Sequence, residues 1–500
     1  MNSFNPDSVS IDRSSFIGGE FAATGGTAIG VFRPSDGHLA CEFREATADC
    51  VDRAVESARS ALRVSGWSDI APRQRAAVMR HWASLVDEHR VELARLESLC
   101  SSRPIAETMG RDLPVVAELL RFYAECADKS PGEVFDTARG ILSFTQHEPY
   151  GVVAAITPWN VPLLLATAKF APALAAGNAV VLKPSELTPF AILRIAALGV
   201  RAGVPPGLFN VLIGSGAITG NALVRHPGVG YVTFTGSTQT GVTVMCEAAQ
   251  HGIKPVSLEL GGKSPQLVFD DAPDVAELAS LVAASLTRNS GQICFCGSRL
   301  IVQRGIADEL IARVLDEVRA VQAGPTWHEA TTLPPIISAD QANRIDAIVK
   351  RAKDAGAQTL VGGKRFEHKG GQFFEPTVLT GMDSTNDAVR SEIFGPVLTV
   401  QVFDDYDEGL ALAAHPTYGL AAGVHTRDID KALASAREIE AGTVWVNTYG
   451  RGNDVVSPFG GFKQSGFGKD FGLAAFDKYR RIKNLYIRAD RDQRRTAPRA

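Results

Sequence analysis

The stretch Val152-Val153-Ala154-Ala155-Ile156-Thr157-Pro158-Trp159-Asn160, followed by an apolar helical pattern over 163–174 and then by Ala179-Val180-Val181-Leu182-Lys183-Pro184-Ser185-Glu186, decides how this chain is built. A short run of five apolar residues, three of them β-branched, a breaker-rich turn, a helical run and a second short apolar strand make one strand–helix–strand unit. The alternation continues with a helix over 191–202, Phe209-Asn210-Val211-Leu212, a helix over 220–225 and Tyr231-Val232-Thr233-Phe234. Such alternation predicts a parallel, doubly wound α/β sheet.

Outward from this array, helical spacing runs from Ala46 to about Val91 and again from Pro114 through Ala127, while Gly140 to His147 reads as extended. Short strands joined by glycine turns precede these, at Phe16-Ile17-Gly18-Gly19-Glu20-Phe21 and Ile29-Gly30-Val31-Phe32. A second α/β stretch starts near Val256 and reaches about Phe462, with strands at 266–269, 300–302 and 444–446 and helices over 275–286 and 306–321. A charged tail of low apolar content closes the chain over 488–500. Five hundred residues exceed one ordinary core, which predicts two or three domains.

The composition, 45% apolar and 21% charged, belongs to a water-soluble globular protein, and a net charge of −4 offers nucleic acid no basic footprint. Seven scattered cysteines form no disulfide framework and point to a reducing, cytoplasmic setting. The first residues show neither a basic n-region nor an apolar h-region, so no secretory signal is expected. The longest apolar tract, 152–182, holds Pro158, Asn160, Pro162, Lys169, Pro172 and Asn178, which suits a buried core and not a membrane span. The ten histidines lack metal-ligand spacing, and Cys294-Phe295-Cys296 has no second pair to complete a zinc site, so no metal is expected.

Three runs carry the chemistry. Cys294 lies in Gly291-Gln292-Ile293-Cys294-Phe295-Cys296-Gly297, where glycines let a ligand approach a thiol, whose thiolate is the strongest common side-chain nucleophile near neutral pH. Glu259 ends a strand-like run before Leu260-Gly261-Gly262-Lys263, and burial there would raise its pKa towards that of a general base. Asn160, between Pro158 and Pro162, is an amide donor for an oxyanion. Nucleophile, base and oxyanion donor are the parts needed for covalent chemistry on a carbonyl.

Two further runs suit a nucleotide. Phe234-Thr235-Gly236-Ser237 leads from a strand through a glycine into a helix start, where N–H groups and the helix dipole favour phosphate, and Gly214-Ser215-Gly216-Ala217-Ile218-Thr219-Gly220 loosely follows a dinucleotide-binding spacing. Either alone is also an ordinary turn. Lys183 and Glu186 stand past a strand's carboxyl end, where open α/β sheets bind ligands. A carboxylate there accepts both adenosine ribose hydroxyls and repels a 2′-phosphate. The same two residues also describe a surface ion pair of little weight.

Taken together, Thr157-Pro158-Trp159-Asn160, Lys183-Pro184-Ser185-Glu186, Phe234-Thr235-Gly236-Ser237, Glu259-Leu260-Gly261-Gly262-Lys263, Gly291-Gln292-Ile293-Cys294, Glu392-Ile393-Phe394-Gly395-Pro396 and Pro458-Phe459-Gly460-Gly461-Phe462-Lys463 resemble, in order, the motifs of the aldehyde dehydrogenase superfamily of NAD(P)-dependent enzymes. The resemblance implies an α/β fold with a Rossmann-type NAD-binding domain over 1–128 and 149–257 and an α/β catalytic domain over 258–462. A small β oligomerisation arm with the C-terminal tail, over 129–148 and 463–500, implies a homodimer or homotetramer. The resemblance further implies that Cys294 attacks an aldehyde, that Asn160 and the Cys294 N–H hold the oxyanion, and that hydride transfer to NAD leaves a thioester. Glu259 would then activate the hydrolytic water, with Lys169 near its proton path.

By the same resemblance Lys183 and Glu186 hold the adenosine ribose, Ser237 the pyrophosphate and Glu392 the nicotinamide ribose beside Phe394. Ile156, Thr157, Pro158, Trp159, Ser185, Gly216, Gly220, Phe234, Thr235, Gly236 and Leu260 would line the rest of the cofactor cleft. Glu186 favours NAD, with NADP possible. Val161, Leu165, Ala168, Phe295 and Phe459 would wall the substrate tunnel, with loop 448–456 at its mouth, where Arg451 could meet a substrate carboxylate but is expected to be solvated. The small side chains at Val161 and Ala168 suit a medium-sized or aromatic aldehyde; a semialdehyde is the alternative. Arg33-Pro34-Ser35 and Gly468-Lys469-Asp470 depart from the family pattern and are expected to leave the chemistry untouched. A structural protein that has lost turnover would show damage at Cys294, Glu259 or Asn160, and none is seen. A cofactor-free acyl hydrolase would leave Lys183, Glu186 and Glu392 idle.

Overall fold

The computed structural model describes residues 3–129 and 131–488; the expected charged tail lies, from 489 on, outside the described residues. The alternating array forms the parallel core of an eight-stranded sheet, in the order Phe209–Val211, Ala179–Lys183, Val152–Ile156, Tyr231–Thr235, Val256–Glu259. Chain order reverses direction between Val152–Ile156 and Tyr231–Thr235, which opens a crevice at the strands' carboxyl ends. Every residue of these two strands and of Ala179–Lys183 is buried, as continuous apolar runs are when helices cover both faces. Antiparallel strands close the edges: the hairpin Ser15–Ile17 with Glu20–Ala22 on one side, Gly466–Phe467 on the other.

Helices Ala48–Ser65, Pro162–Ala175 and Phe190–Ala202 pack on this sheet. The helical spacing from Ala46 resolves into Ala48–Ser65, ended by Gly66 at a left-handed φ of 61°, and Pro72–Glu88, started by its proline. Arg90–Cys100 follows as a third helix. Trp82 of the second stacks on Phe170 at 5.1 Å and donates its indole N–H to the Ile195 carbonyl at 3.1 Å. A Cβ at Gly199 would stand 2.8 Å from that indole, so the packing requires glycine there.

The second sheet has seven strands, ordered Gln358–Val361, Thr377–Thr380, Val397–Phe403, Arg299–Gln303, Pro265–Val268, Ala421–His425, Thr443–Val446, all parallel to their neighbours except the first. Val256–Glu259, expected to open this second stretch and to straddle the boundary at 257/258, instead belongs wholly to the first sheet. The five residues after Glu259 therefore carry the chain from the carboxyl edge of one sheet to the amino edge of the other. Arg480–Arg488, Ile141–Pro149 and Val134–Phe135 form a separate three-stranded sheet. The expected arm over 463–500 is corrected here: Gly466–Phe467 pairs with Leu258 and Glu259, because the chain returns to the first sheet before it leaves for the arm.

Candidate active site

Strand register sets the site. Ile156 lies opposite Lys183 on one side and Phe234 on the other, and Thr235 lies opposite Glu259. Lys183 and Glu259 thus stand three strand spacings apart along one carboxyl edge, about 14 Å. Lys183 donates to the Pro184 carbonyl at 2.8 Å and to Glu186 at 3.2 Å. Gly216–Gly220 is a single wide turn capped by the Ser215 hydroxyl, and a Cβ at Gly220 would lie 3.6 Å from the Lys183 side chain. The Ser185 hydroxyl accepts the Leu187 N–H.

Ser237 caps helix Thr238–Gln250 by accepting the Thr240 N–H at 3.2 Å, which leaves the other first-turn N–H groups without acceptors inside the helix. Beside them the Thr157 and Thr235 hydroxyls are buried with no hydrogen-bond partner among the described residues. Phe234 and Leu260 are packed into the core beneath this edge. Open N–H groups, unpartnered hydroxyls and a lysine–glutamate pair along one edge fit a dinucleotide.

On the opposite wall Glu392 accepts the Gly262 N–H at 3.1 Å. Burial pushes its carboxyl up to about 7, against the Gly262 N–H and the charges of Arg344 and Lys263, which pull it down. A Cβ at Gly261 would collide with that carboxylate. Phe394 has a φ of 56°, and its ring meets Trp159 edge-to-face at 5.2 Å. Gln341 and Arg344 of helix Ala339–Asp354 hold the segment by donating to the carbonyls of Glu392, Ile393 and Phe394. Nothing in the spacing of the sequence points to either latch.

The cysteine turn follows helix Val275–Thr287 and precedes strand Arg299–Gln303. Asn289 and Ser290 both take a φ of 50°, and Gly291 one of 69°, where a Cβ would collide with the Gly395 carbonyl. Fully buried Gln292 pins this strained backbone. Its amide donates to the Asn289 carbonyl at 2.9 Å and to that of Pro335 at 3.3 Å, and accepts the Ile337 N–H at 2.9 Å. Asn160 gives one amide hydrogen to the Gln292 carbonyl at 3.1 Å, and Asn289 donates to both the Asn160 and Gln292 carbonyls. The second Asn160 hydrogen is left for a ligand. Cys294 is half-buried. Burial and the carboxylates of Glu392 and Glu259 push its thiol up, while the N–H groups of Phe295 and Cys294 pull the other way. Cys296 is buried, donating to the Ser285 carbonyl.

Both carboxylate oxygens of Glu259 are buried without a hydrogen-bond partner among the described residues. Burial, then the charge of Asp470, pushes this carboxyl well above its usual range. Asp470 accepts from Lys169 at 3.1 Å and from Lys478 at 2.6 Å, and these two cations outweigh burial to hold its carboxyl down. Lys169 also donates to the Thr233 hydroxyl. The departure Gly468-Lys469-Asp470 does not lie apart from the chemistry as expected. The antiparallel strand Gly466–Phe467 turns Asp470 back beneath Glu259 and against Lys169.

Cys294, Asn160 and Glu259 line one cavity of about 550 Å³, together with Val161, Leu165, Phe295 and Phe459. Ala168 does not reach it: about one turn beyond Leu165 it is fully buried, and Leu164 takes its place. Arg451 is not solvated as expected. Its guanidinium stacks 4.1 Å from the Phe471 ring centre and donates to the Asp454 and Ser457 carbonyls, forming part of the cavity wall.

Fold and site together define a class: a doubly wound α/β enzyme of the dinucleotide-binding type, with a cysteine, an amide and a buried carboxylate around one ligand cavity. The aldehyde dehydrogenase family model matches residues 21–485, and the chain belongs to that family of oxidoreductases acting on aldehydes. It is 40% identical over 482 residues to the NADP/NAD-dependent aldehyde dehydrogenase PuuC of Escherichia coli strain K12, covering 96% of each chain. Among solved structures it resembles an indole-3-acetaldehyde dehydrogenase complexed with NAD+ (TM-score 0.94, 41% identity, 97% and 98% of the two chains). It also resembles the gamma-glutamyl-gamma-aminobutyraldehyde dehydrogenase of Burkholderia cenocepacia J2315 (TM-score 0.94, 40% identity, 97% and 98%). No helix of the described residues is long and apolar enough to cross a membrane.

Proposed function

We propose that this enzyme oxidises an aldehyde to the carboxylic acid through a thioester on Cys294 and releases the acid by hydrolysis. One observation carries the proposal: the sheet edge that holds Lys183, Ile156 and Thr235 ends at Glu259, in the same cavity as Cys294 and Asn160.

The thiolate of Cys294 adds to the carbonyl carbon, a C–S bond forms, and the oxygen takes the negative charge. The free Asn160 amide hydrogen and the Cys294 N–H stabilise that charge in a largely apolar cavity, where such donors act strongly. Bound NAD+ supplies the hydride acceptor and a positive ring whose charge favours the thiolate. Lys183 and Glu186 would hold the adenosine ribose, the open N–H groups after Ser237 the pyrophosphate, and Glu392 the nicotinamide ribose. The adduct's C–H bond would break as hydride passes to the bound cofactor and the C=O re-forms, leaving a thioester on Cys294. Glu259, raised in pKa by burial, then removes a proton from the attacking water, and the C–S bond breaks to release the acid and the Cys294 thiolate. Lys169, Asp470 and Lys478 lie behind it and can pass that proton onward.

Glu186 supports NAD over NADP. The sheet of Ile141–Pro149 and Arg480–Arg488 exposes Ile482, Tyr486 and Val134, which supports a homodimer or homotetramer assembled through the arm. Seven unpaired cysteines support a cytoplasmic setting. The separate eight-, seven- and three-stranded sheets support a division into NAD-binding, catalytic and arm units.

Absorbance of reduced NAD with a panel of aldehydes tests the activity, and the variants test the roles. Cys294→Ala removes turnover while NAD binding persists. Glu259→Gln stalls after hydride transfer, with the acyl group found by mass spectrometry on residue 294. Normal turnover by Cys294→Ala together with an inactive Cys296→Ala would assign the nucleophile to Cys296 instead.

A further inference from the structure

The cavity above Cys294 is walled mainly by apolar side chains, among them Val115, Leu164 and Leu281, yet its wall also carries three arginines from one neighbourhood: Arg103, Arg111 and Arg288. Two of them are matched. Arg103 forms a two-pronged pair with Asp112 at 2.7 and 2.8 Å, and Arg288 pairs with Glu107 at 3.4 Å. Glu107 also lies 3.4 Å from Arg103. Both local carboxylates are therefore committed. Arg111, half-buried in the wall, has no hydrogen-bond or ion-pair partner among the described residues. Burial, then the charges of Arg288 and Arg103, act against its own charge, and the smaller pull of Asp112 and Glu107 does not make up the difference. A surplus guanidinium held in such a place is a site for an anion.

The backbone is arranged to present it. Residues Thr108–Asp112 form one wide turn, closed by the Leu113 N–H on the Thr108 carbonyl, at the head of helix Leu113–Cys126. Such an inserted residue changes the direction of the side chains that follow, and here the successive residues Arg111 and Asp112 both face the cavity. Asp112 satisfies Arg103, which leaves Arg111 free. Exposed Glu277 also lines the cavity, but it sits eleven residues before Arg288 along helix Val275–Thr287, roughly 16 Å away along the axis. It does not neutralise the arginine cluster.

We infer that the preferred substrate is an aldehyde that carries a carboxylate at its far end, separated by an apolar stretch, and that Arg111 is the residue that selects it. This inference rests on the aldehyde-oxidising reading above and adds the substrate class to it. The aldehyde carbon reaches Cys294, the apolar stretch crosses Val115, Leu164 and Leu281, and the carboxylate pairs with Arg111.

The test compares three series of equal chain length with NAD: straight-chain ω-oxo acids, their methyl esters, and ω-aminoaldehydes. A charge-assisted pair predicts kcat/KM about ten- to a hundredfold higher for acids than for esters at the best chain length. Arg111→Gln should bring that ratio close to one, chiefly through the KM of the acids, and Arg111→Lys should keep part of it. A merely structural role would lower acids and esters together and leave the ratio unchanged, which overturns the inference. Equal rates for wild-type acids and esters, or a preference for the aminoaldehydes, overturn it as well. If no member of any series is oxidised, the aldehyde-oxidising reading itself fails, and that outcome is distinct from the others.

Discussion

Lys169 and Asp470, 301 positions apart in sequence, meet 3.1 Å apart in the buried interior behind Glu259. Asp470 also accepts from Lys478 at 2.6 Å, so one carboxylate balances two buried ammonium groups. Replacing Asp470 by Asn leaves both lysines uncompensated, at a cost of about 3–5 kcal/mol of stability.

The same cluster should set the pH dependence of deacylation. After burial, the charge of Asp470 does most to raise Glu259, while Lys478 and Lys169 lower it. The pH at which deacylation reaches half its maximum should therefore move down in Asp470→Asn and up in Lys169→Met. Single-turnover release of acid across pH reads this directly, and an unchanged midpoint in both variants would separate Asp470 from the base.

Gln292 ties Asn289, Pro335 and Ile337 together, and truncating it leaves two carbonyls and an N–H buried without that partner. The Asn289 carbonyl keeps the backbone N–H of residue 292, so at about 1 kcal/mol or more for each of the two groups orphaned, Gln292→Ala should lose roughly 2 kcal/mol by denaturant titration. It should also lower kcat, because the left-handed backbone at Asn289 and Ser290 then relaxes and shifts both Cys294 and the carbonyl that holds Asn160. A variant with wild-type stability would show that the turn holds itself.

What is legible in the sequence is the chemistry that is local. The strand at 152–156, the glycine before Ser237 and the glycines around Cys294 each state their geometry within a few residues. Asp470 is hidden because its role depends on Gly466–Phe467 pairing with Leu258 and Glu259, far earlier in the chain, and a two-residue strand has no periodicity to read. Gln341 and Arg344 are hidden for a related reason. On an amphipathic helix they look like any solvated polar face, and only the packing of Ala339–Asp354 against Glu392, Ile393 and Phe394 gives them partners. Arg451 departs from its expected solvation because loop composition carries no trace of Phe471, the ring that covers it, which lies well beyond the loop.

Glu392 predicts a pH dependence for cofactor binding. Its carboxyl titrates at about 7 in the folded protein, against 4.5 when unperturbed, so the folded state holds the proton more tightly. Its contribution to stability is whole below about pH 4.5 and is lost as pH rises through 7. Ribose hydroxyls, as donors, prefer the ionised form. NAD affinity should therefore strengthen several-fold from about pH 6 to about pH 8 by calorimetric titration, roughly one pKa unit on each side of the midpoint. Glu392→Gln should flatten that dependence. A wild-type affinity that is flat over this range would remove Glu392 from the ribose contact.

Glu186 should govern the choice between NAD and NADP. It is held 3.2 Å from Lys183 at the adenosine end of the edge, with about a third of its side chain exposed. A 2′-phosphate placed there meets the carboxylate's like charge, and the lysine beside it is already engaged. Glu186→Ala removes the repulsion and frees Lys183 to pair with the phosphate, so the ratio of kcat/KM for NADP over NAD should rise by about tenfold or more. Because the pair is partly solvated, screening weakens the discrimination, and the wild-type preference for NAD should shrink as ionic strength rises. If Glu186→Ala leaves the ratio unchanged, the carboxylate does not face the ribose and the selection lies elsewhere along the edge.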